Sequence, residues 1–280
     1  MTSHDTPAGA PFAGAQGSEP PSFDTTVAHP ARVYNFWLGG KDNYQIDRDA
    51  GAAAIKANPG ILPGVRANRA FLGRAVRHLV TDAGIRQFLD IGTGLPTAEN
   101  THEVAQSIAP ETRVVYVDND PIVLAHARAL LTTTPQGATT YIQADVRDVD
   151  AILDGAARLL DLSEPVAIML LMILQYVPDS DHPDQIVARL MDAMPPGSYL
   201  VLSDTTSDID TARNAGAFSS LNSRMGSTQI TPRTRADFTR YFDGLDLIEP
   251  GLVTVPEWRH IPEQDHINAC YACMGRKPTR

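Results

Sequence analysis

The chain has 280 residues, 43% of them hydrophobic, and a formal net charge of −10. A chain of this length supports one sizeable core with an appendage and needs no disulfide or metal staple to fold. The acidic balance argues against a nucleic-acid partner, because binding to a phosphate backbone rests on accumulated positive charge. The longest apolar run, residues 166–174, is about half of what a bilayer crossing requires. It reads as a buried strand, and no membrane partner is expected.

The first 22 residues are rich in Pro, Gly, Ala and Ser and lack a basic stretch followed by an apolar one. They read as a disordered tail and not as a secretory signal, which implies a cytoplasmic location. Residues 31–66 are dense in Tyr, Asn, Gly, Asp and Arg and carry little apolar periodicity. Asn68 is a suitable N-cap for a helix with the stripe Phe71, Leu72, Ala75, Val76, Leu79 and Val80, stopped near Gly84. The expected organisation is a tail at residues 1–27, a cap segment at 28–86 and the main domain at 87–280.

From residue 87 strands and helices alternate, the pattern of a parallel sheet covered on both faces. Strands are expected at residues 87–91, 113–117, 139–143, 166–172 and 199–203, with helices at 97–109, 121–131, 151–160 and 183–193 between them. Asp120-Pro121 supplies an N-cap with proline at the first helical position, and the uniformly apolar run 166–172 belongs in the middle of the sheet. Residues 208–225 are polar and small and read as a lid-like helix or loop, and Thr231-Pro232 opens a helix ending at Phe242. Residues 245–248, 252–255 and 267–274 close the sheet as antiparallel strands, since no crossover helix separates them. Cys270 and Cys273 stand three apart in the last strand, on opposite faces. They read as structural, and no metal site is expected.

The densest chemical signal is Phe88-Leu89-Asp90-Ile91-Gly92-Thr93-Gly94-Leu95-Pro96-Thr97, an apolar strand running through an acid into a glycine turn. Gly92 and Gly94 permit positive φ and close approach of a ligand, and the following helix turns free N–H groups to the same spot. A dinucleotide site would have glycine where Thr97 stands, and Asp90 would repel a pyrophosphate, which disfavours a nicotinamide oxidoreductase. The same carboxylate attracts the ammonium of an amino-acid-bearing nucleoside such as S-adenosylmethionine. Asp118, with Asn119 beside it, ends the second strand 24 residues after Gly94, near the offset of about 20 at which an acid holds ribose hydroxyls. At the third strand end, Asp145 is placed either to accept an adenine amine, with the adjacent Val146 backbone donating to the ring, or to cap the next turn. The fourth strand end offers Gln175 and Tyr176 to position an acceptor, without a strong base among them.

The chain resembles a bacterial, mainly actinobacterial, family of S-adenosylmethionine-dependent methyltransferases. The resemblance is carried by Ala31-Arg32-Val33-Tyr34 with Leu38-Gly39-Gly40-Lys41-Asp42-Asn43, by the turn at 92–97, by Arg66-Ala67-Asn68-Arg69-Ala70-Phe71, by Thr101-His102-Glu103-Val104-Ala105 and by residues 115–121, and it runs from about residue 28 onward. It implies a Rossmann-like class I α/β fold with a mostly parallel seven-stranded sheet, an antiparallel C-terminal edge hairpin and an N-terminal helical cap. It also implies S-adenosylmethionine as cofactor, held at Asp90, Gly92, Thr93, Gly94, Asp118, Asn119, Asp145 and Val146.

The leader is expected to cover the cofactor, with Tyr34 reaching it and Arg66 or Arg69 gripping its carboxylate. Asn35, Asn43, Tyr44, Gln175, Tyr176 and Asp204 are expected around the acceptor. Members of the family often carry histidine where this chain has Gln175 and Asp204, so no histidine base carries over there. His102, His260 and Asp204 remain candidates, and the catalytic group stays unassigned. The implied activity is methyl transfer to a small molecule, with a homodimer compatible. The alternative is a regulatory protein that binds S-adenosylmethionine without transfer.

Overall fold

The structure, a computed structural model, describes residues 24–130, 133–259 and 270–279. Most of the expected tail, His260 and the beginning of the last expected strand lie outside the described residues. Three helices precede the sheet: α1 (Pro30–Trp37), α2 (Gln45–Ala57) and α3 (Ile61–Thr81). The leader, which shows little apolar periodicity in sequence, thus forms two helices. Pro30 opens α1 behind His29, whose Nδ1 accepts from the Ala31 N–H. The buried face of α2 is made of Ala50, Gly51 and Ala54, and a Cβ on Gly51 would lie 2.6 Å from the Phe36 ring. Small residues let the two helices approach closely, and a stripe of alanine and glycine gives little hydrophobic signal.

Asn68 is not a cap, because α3 starts at Ile61. Its buried side chain donates to the Tyr34 hydroxyl at 3.1 Å and accepts from the Ser203 hydroxyl at 2.7 Å.

The remaining elements are β1 (Gln87–Ile91), α4 (Thr101–Ile108), β2 (Arg113–Asp118), α5 (Pro121–Leu130), β3 (Ala138–Gln143), α6 (Val149–Ala156), β4 (Ala167–Leu171), α7 (Pro183–Asp192), β5 (Tyr199–Thr205), α8 (Thr211–Asn222), α9 (Arg235–Arg240), β6 (Asp246–Leu247), β7 (Val253–Thr254) and β8 (Cys270–Arg276). Helix α4 begins at Thr101 and not at 97, because Asn100 and Glu103 form a capping box in which the Asn100 N–H donates to Glu103 Oε2 at 2.8 Å. In the same way the cap of α9 is Thr234, not Thr231.

The sheet runs β3-β2-β1-β4-β5-β8-β6, with β1 to β5 parallel and β8 antiparallel to β5. The expected edge hairpin is corrected in detail. Strands β6 and β7 do not pair with each other; both pair with β8, at Gly275–Arg276 and at Tyr271–Ala272, one after the other along its outer edge. Pro250 and Gly251 lie in the interruption between them. The result is eight strands in seven positions.

Side chains alternate across the sheet. Leu89, Ile91, Val115, Val117, Ile168 and Leu170 face a core completed by α6, α7 and α9, while Phe88, Val114, Tyr116, Ala167 and Met169 face one built with α3 and α4. Cys270 and Cys273 fall on opposite faces, both free and buried. The polar stretch after β5 is helical: α8 packs Ala217 and Leu221 against Ala50 and Ala54 of α2 and so joins the cap. Among the described residues no His, Cys, Asp or Glu group is arranged to hold a metal, and no helix is long and apolar enough to cross a membrane.

Leu170 is fully buried at the centre of the sheet, whereas Leu247 is 45% exposed on its edge. Leu170→Ala is expected to lower stability by about 2–5 kcal/mol in urea unfolding, and Leu247→Ala by less than about 0.5 kcal/mol. Equal losses would contradict the central place of β4.

Candidate functional site

Strand order reverses between β1 and β4, and open α/β sheets bind ligands outside the carboxyl ends of the strands at such a point. A cleft of about 980 Å³, mouth included, opens there. Its floor is Asp90, Gly92, Thr93, Gly94, Leu95, Thr97, Asp118 and Asn119, and one wall is Leu171, Met172, Ile173 and Tyr176. The leader roofs it with His29, Pro30, Ala31, Tyr34, Asn35 and Leu38.

Gly92 and Gly94 have φ of +75° and +66°. A Cβ on Gly92 would come within 2.7 Å of the Ile173 side chain, while Gly94 faces open space. The N–H groups of Gly92 and Thr93 donate to the Val117 carbonyl at 2.8 and 3.2 Å, binding the turn to β2. Asp118 Oδ2 accepts from the Gly94 N–H at 2.8 Å and Oδ1 from the Asp120 N–H at 2.9 Å. Each oxygen keeps a lone pair for a further donor, which suits a vicinal diol. Asp90 accepts from the Thr101 hydroxyl at 2.6 Å. Burial raises Asp90 and Asp118 each to about 6. The Thr97 hydroxyl is buried in the same floor without a hydrogen-bond partner.

Of the two arginines, Arg69 lines the cleft, with Nη2 on the carbonyls of Ala98 and Glu99 at 2.9 and 3.0 Å. Arg66 is exposed and outside it. Helix α3 turns Val65, Asn68, Arg69 and Leu72 to one side, and the step of about 100° from Val65 carries Arg66 off that side.

The leader is fastened by a buried ion cluster. Arg32 Nε lies 3.7 Å from both Asp47 Oδ1 and Asp120 Oδ2, and its Nη2 donates to the Val27 carbonyl at 3.2 Å. His29 Nδ1 stands 3.1 Å from the same Asp120 oxygen. Burial pushes the His29 imidazole below its ordinary value, so Arg32 supplies the positive charge.

A recess of about 480 Å³ continues past Asp118 and Asn119 to Asp145, Val146 and Arg147. Asp145 takes four donors: Arg147 N at 3.0 Å and Nε at 2.7 Å on one oxygen, Arg147 Nη2 at 2.8 Å and Asn119 Nδ2 at 3.2 Å on the other. These fill its lone pairs, and the Arg147 guanidinium holds the carboxyl below its ordinary value. Of the two readings of Asp145, the contacts match the cap of the next turn: the carboxylate accepts from the Arg147 N–H and orients Arg147 and Asn119, and Arg147 is a lining residue that sequence reasoning missed.

On the other side of the wall lies a second cavity of about 1600 Å³, mouth included, which shares Met172 and Tyr176 with the first. It forms where the turn between α2 and α3 meets α8, a contact with no local sequence signal. The residues expected around the acceptor divide between the two spaces. Asn35 lines the first, Gln175 the second and Tyr176 both.

Asn43 and Tyr44 line neither. Asn43 Nδ2 donates to Asn35 Oδ1 at 2.8 Å and the Gly40 carbonyl at 2.9 Å, fixing the loop. Tyr44 is exposed, precedes α2 and places its ring 5.4 Å from the Arg32 guanidinium. Asp204 is buried behind the second cavity, accepts from the Thr205 N–H at 3.0 Å, faces Arg233 at 3.9 Å, and is raised by burial to about 7. His102 is buried with Nδ1 2.8 Å from the Tyr116 hydroxyl, away from both cavities. Neither candidate base thus faces the cleft. Burial keeps the Tyr176 hydroxyl and the Cys270 thiol protonated, the latter pushed up to about 12.

A model of the S-adenosyl methyltransferase family matches residues 16–278. Among solved structures, a DUF574 family protein from Streptomyces avermitilis is 44% identical, with a TM-score of 0.88 over 91% of this chain and 99% of that one. A candidate methyltransferase from Thermobifida fusca is 40% identical, with a TM-score of 0.82 over 91% of this chain and 96% of that one. No curated protein matches the chain. The glycine turn, the acids ending β1 and β2 and the unpartnered Thr97 hydroxyl suit S-adenosylmethionine, the cofactor of that family, and the chain belongs to the S-adenosyl methyltransferase family.

Proposed function

We propose that the protein transfers a methyl group from S-adenosylmethionine, held in the 980 Å³ cleft, to a small-molecule acceptor. The observation that carries this reading is Asp118, fixed by the Gly94 and Asp120 N–H groups with lone pairs left for two hydroxyls. When bound, S-adenosylmethionine supplies an electrophilic methyl on a sulfonium. Asp118 takes the ribose hydroxyls, Asp90 faces the ammonium, and Arg69 and the Thr97 hydroxyl serve the methionine end. The recess of Asn119, Val146 and Arg147 takes the base, and Tyr34 and Asn35 close over the ligand. The chain contributes orientation, plus a water-poor setting that favours loss of the sulfonium charge.

Gly92→Val and Asp118→Ala are each expected to weaken S-adenosylmethionine binding about tenfold or more in calorimetric titration, Asp118→Ala with the circular dichroism spectrum kept. If neither weakens binding, the cofactor site is elsewhere. Product analysis by mass spectrometry over a metabolite panel reads transfer itself, and binding without any methylated product would favour the non-transferring regulatory alternative.

The pH dependence follows from the raised carboxyls. Asp90 and Asp118 titrate near 6 in the free protein, and only their ionised forms attract an ammonium or hold hydroxyls fully. Binding therefore expels protons. Affinity is expected to be level above about pH 7 and to fall below pH 6 by up to about tenfold per pH unit for each carboxylate. An affinity unchanged between pH 5 and 8 would remove both residues from the site.

A further inference from the structure

Binding the cofactor leaves the second cavity unexplained. It meets the cofactor cleft at Met172 and Tyr176, and Met172 is held on that shared wall at φ +59°, a left-handed conformation that costs energy in a residue other than glycine. Its other walls are mostly apolar, with Trp37, Ile61, Val65, Phe218, Leu221 and Ile230. Two of its lining residues carry buried polar atoms without a hydrogen-bond partner: Gln175 Oε1, in a residue 3% exposed, and Thr205 Oγ1, in a residue 8% exposed. The Gln175 Nε2 is already used on the Met172 carbonyl at 3.3 Å. By contrast Asn58 and Asn214, which also line the space, satisfy each other at 2.7 Å. The lining charges are Asp210 and Arg213, 3.8 Å apart, with Arg213 68% exposed. An unpaired buried carboxamide oxygen is costly and demands a donor.

We infer that this cavity receives the methyl acceptor, and that the acceptor is a largely apolar molecule whose uncharged hydroxyl or amine donates to Gln175 Oε1, with the Thr205 hydroxyl completing its hydrogen bonding. The inference rests on the reading of the first cleft as the cofactor site. A carboxylate or thiolate acceptor has no proton for Gln175 and meets no buried cation among the described lining residues. In the transfer, a lone pair on the acceptor oxygen or nitrogen forms the bond to the methyl carbon. The carbon–sulfur bond breaks with its pair going to sulfur, and the proton of the heteroatom leaves to water at the mouth, where Pro59 and Arg213 are exposed.

The full chain, saturated with S-adenosylhomocysteine, is titrated by fluorescence with 2-naphthol, 2-naphthylamine, 2-methoxynaphthalene and 2-naphthoate. The first two are expected to bind about tenfold tighter than the last two, the difference made by one good hydrogen bond. Gln175→Leu, or Gln175→Met should the former not fold, is expected to abolish the preference for naphthol over its methyl ether. Phe218→Arg is expected to block all four probes. In every variant S-adenosylhomocysteine affinity stays within about twofold of the parent, which also certifies the fold. A preference for naphthoate, a preference that survives at position 175, or no probe binding while S-adenosylhomocysteine binds normally would overturn the inference alone. Failure of S-adenosylhomocysteine itself to bind would overturn the cofactor reading and the inference with it.

Discussion

Arg32 occupies a place that no guanidinium tolerates alone: 4% exposed, 3.7 Å from Asp47 on one side and 3.7 Å from Asp120 on the other. Removing such a group from water costs several kcal/mol unless opposite charge and hydrogen bonds offset it. Both acids are themselves committed. Asp47 accepts from the His29 and Tyr44 N–H groups at 2.9 and 2.8 Å, and Asp120 caps α5 through the Ile122 N–H at 2.9 Å. Three chain segments, the start of α1, the start of α2 and the turn after β2, therefore converge on one buried cation. The net stability of such a cluster is small, and its physical effect is on register. It sets the leader over the same turn that carries Asp118, and every roof residue of the cofactor cleft follows from that placement.

Beneath that roof the electrostatics run against the fold. Asp90 and Asp118 are buried and raised to about 6, above the value of 3.8 for a free aspartate. A carboxyl whose pKa is higher in the folded state binds its proton more tightly there, so its contribution to stability declines as pH rises from about 4 to 6 and stays lost at neutrality. The protein holds two desolvated carboxylates in one cleft at a cost in stability. A ligand that brings an ammonium and two hydroxyl donors relieves it. On the proposed reading, cofactor recognition exchanges unfavourable burial for paired charge, and the cost concentrates at Asp90 and Asp118.

Sequence reading follows the same physics and fails where the physics is non-local. Strand β1 ends at Ile91 as expected because an apolar run meets a glycine turn, and Asp118 stands at a strand end because the apolar run Val114–Val117 of β2 stops at the acid. The cap is different. Its helices meet through Ala50, Gly51, Ala54 and Ala217, residues too small to write a hydrophobic stripe. Asn68 looks like a helix start because a polar residue at the head of an apolar run normally is one. Its true partners, Tyr34 and Ser203, lie 34 and 135 residues away. Asp145 was legible as an acid at a strand end, but not that Arg147 and Asn119 together would fill its lone pairs, since an aspartate two residues before an arginine pairs with it only when the turn allows. The cavity under α8 depends on a contact between residues near 54 and near 217, which no local pattern reports.

Both cavities draw on α1. Tyr34 lines the cofactor cleft and Trp37, one turn on, lines the second cavity, with their rings 6.4 Å apart. The Tyr34 hydroxyl donates to the Val65 carbonyl at 3.3 Å and accepts from Asn68, which in turn accepts from Ser203 at the end of β5. Trp37 Nε1 donates to the Gly51 carbonyl of α2 at 3.1 Å. A shift of α1 that opens the roof over Asp118 therefore also moves the wall formed by Trp37 and breaks the tie to the sheet.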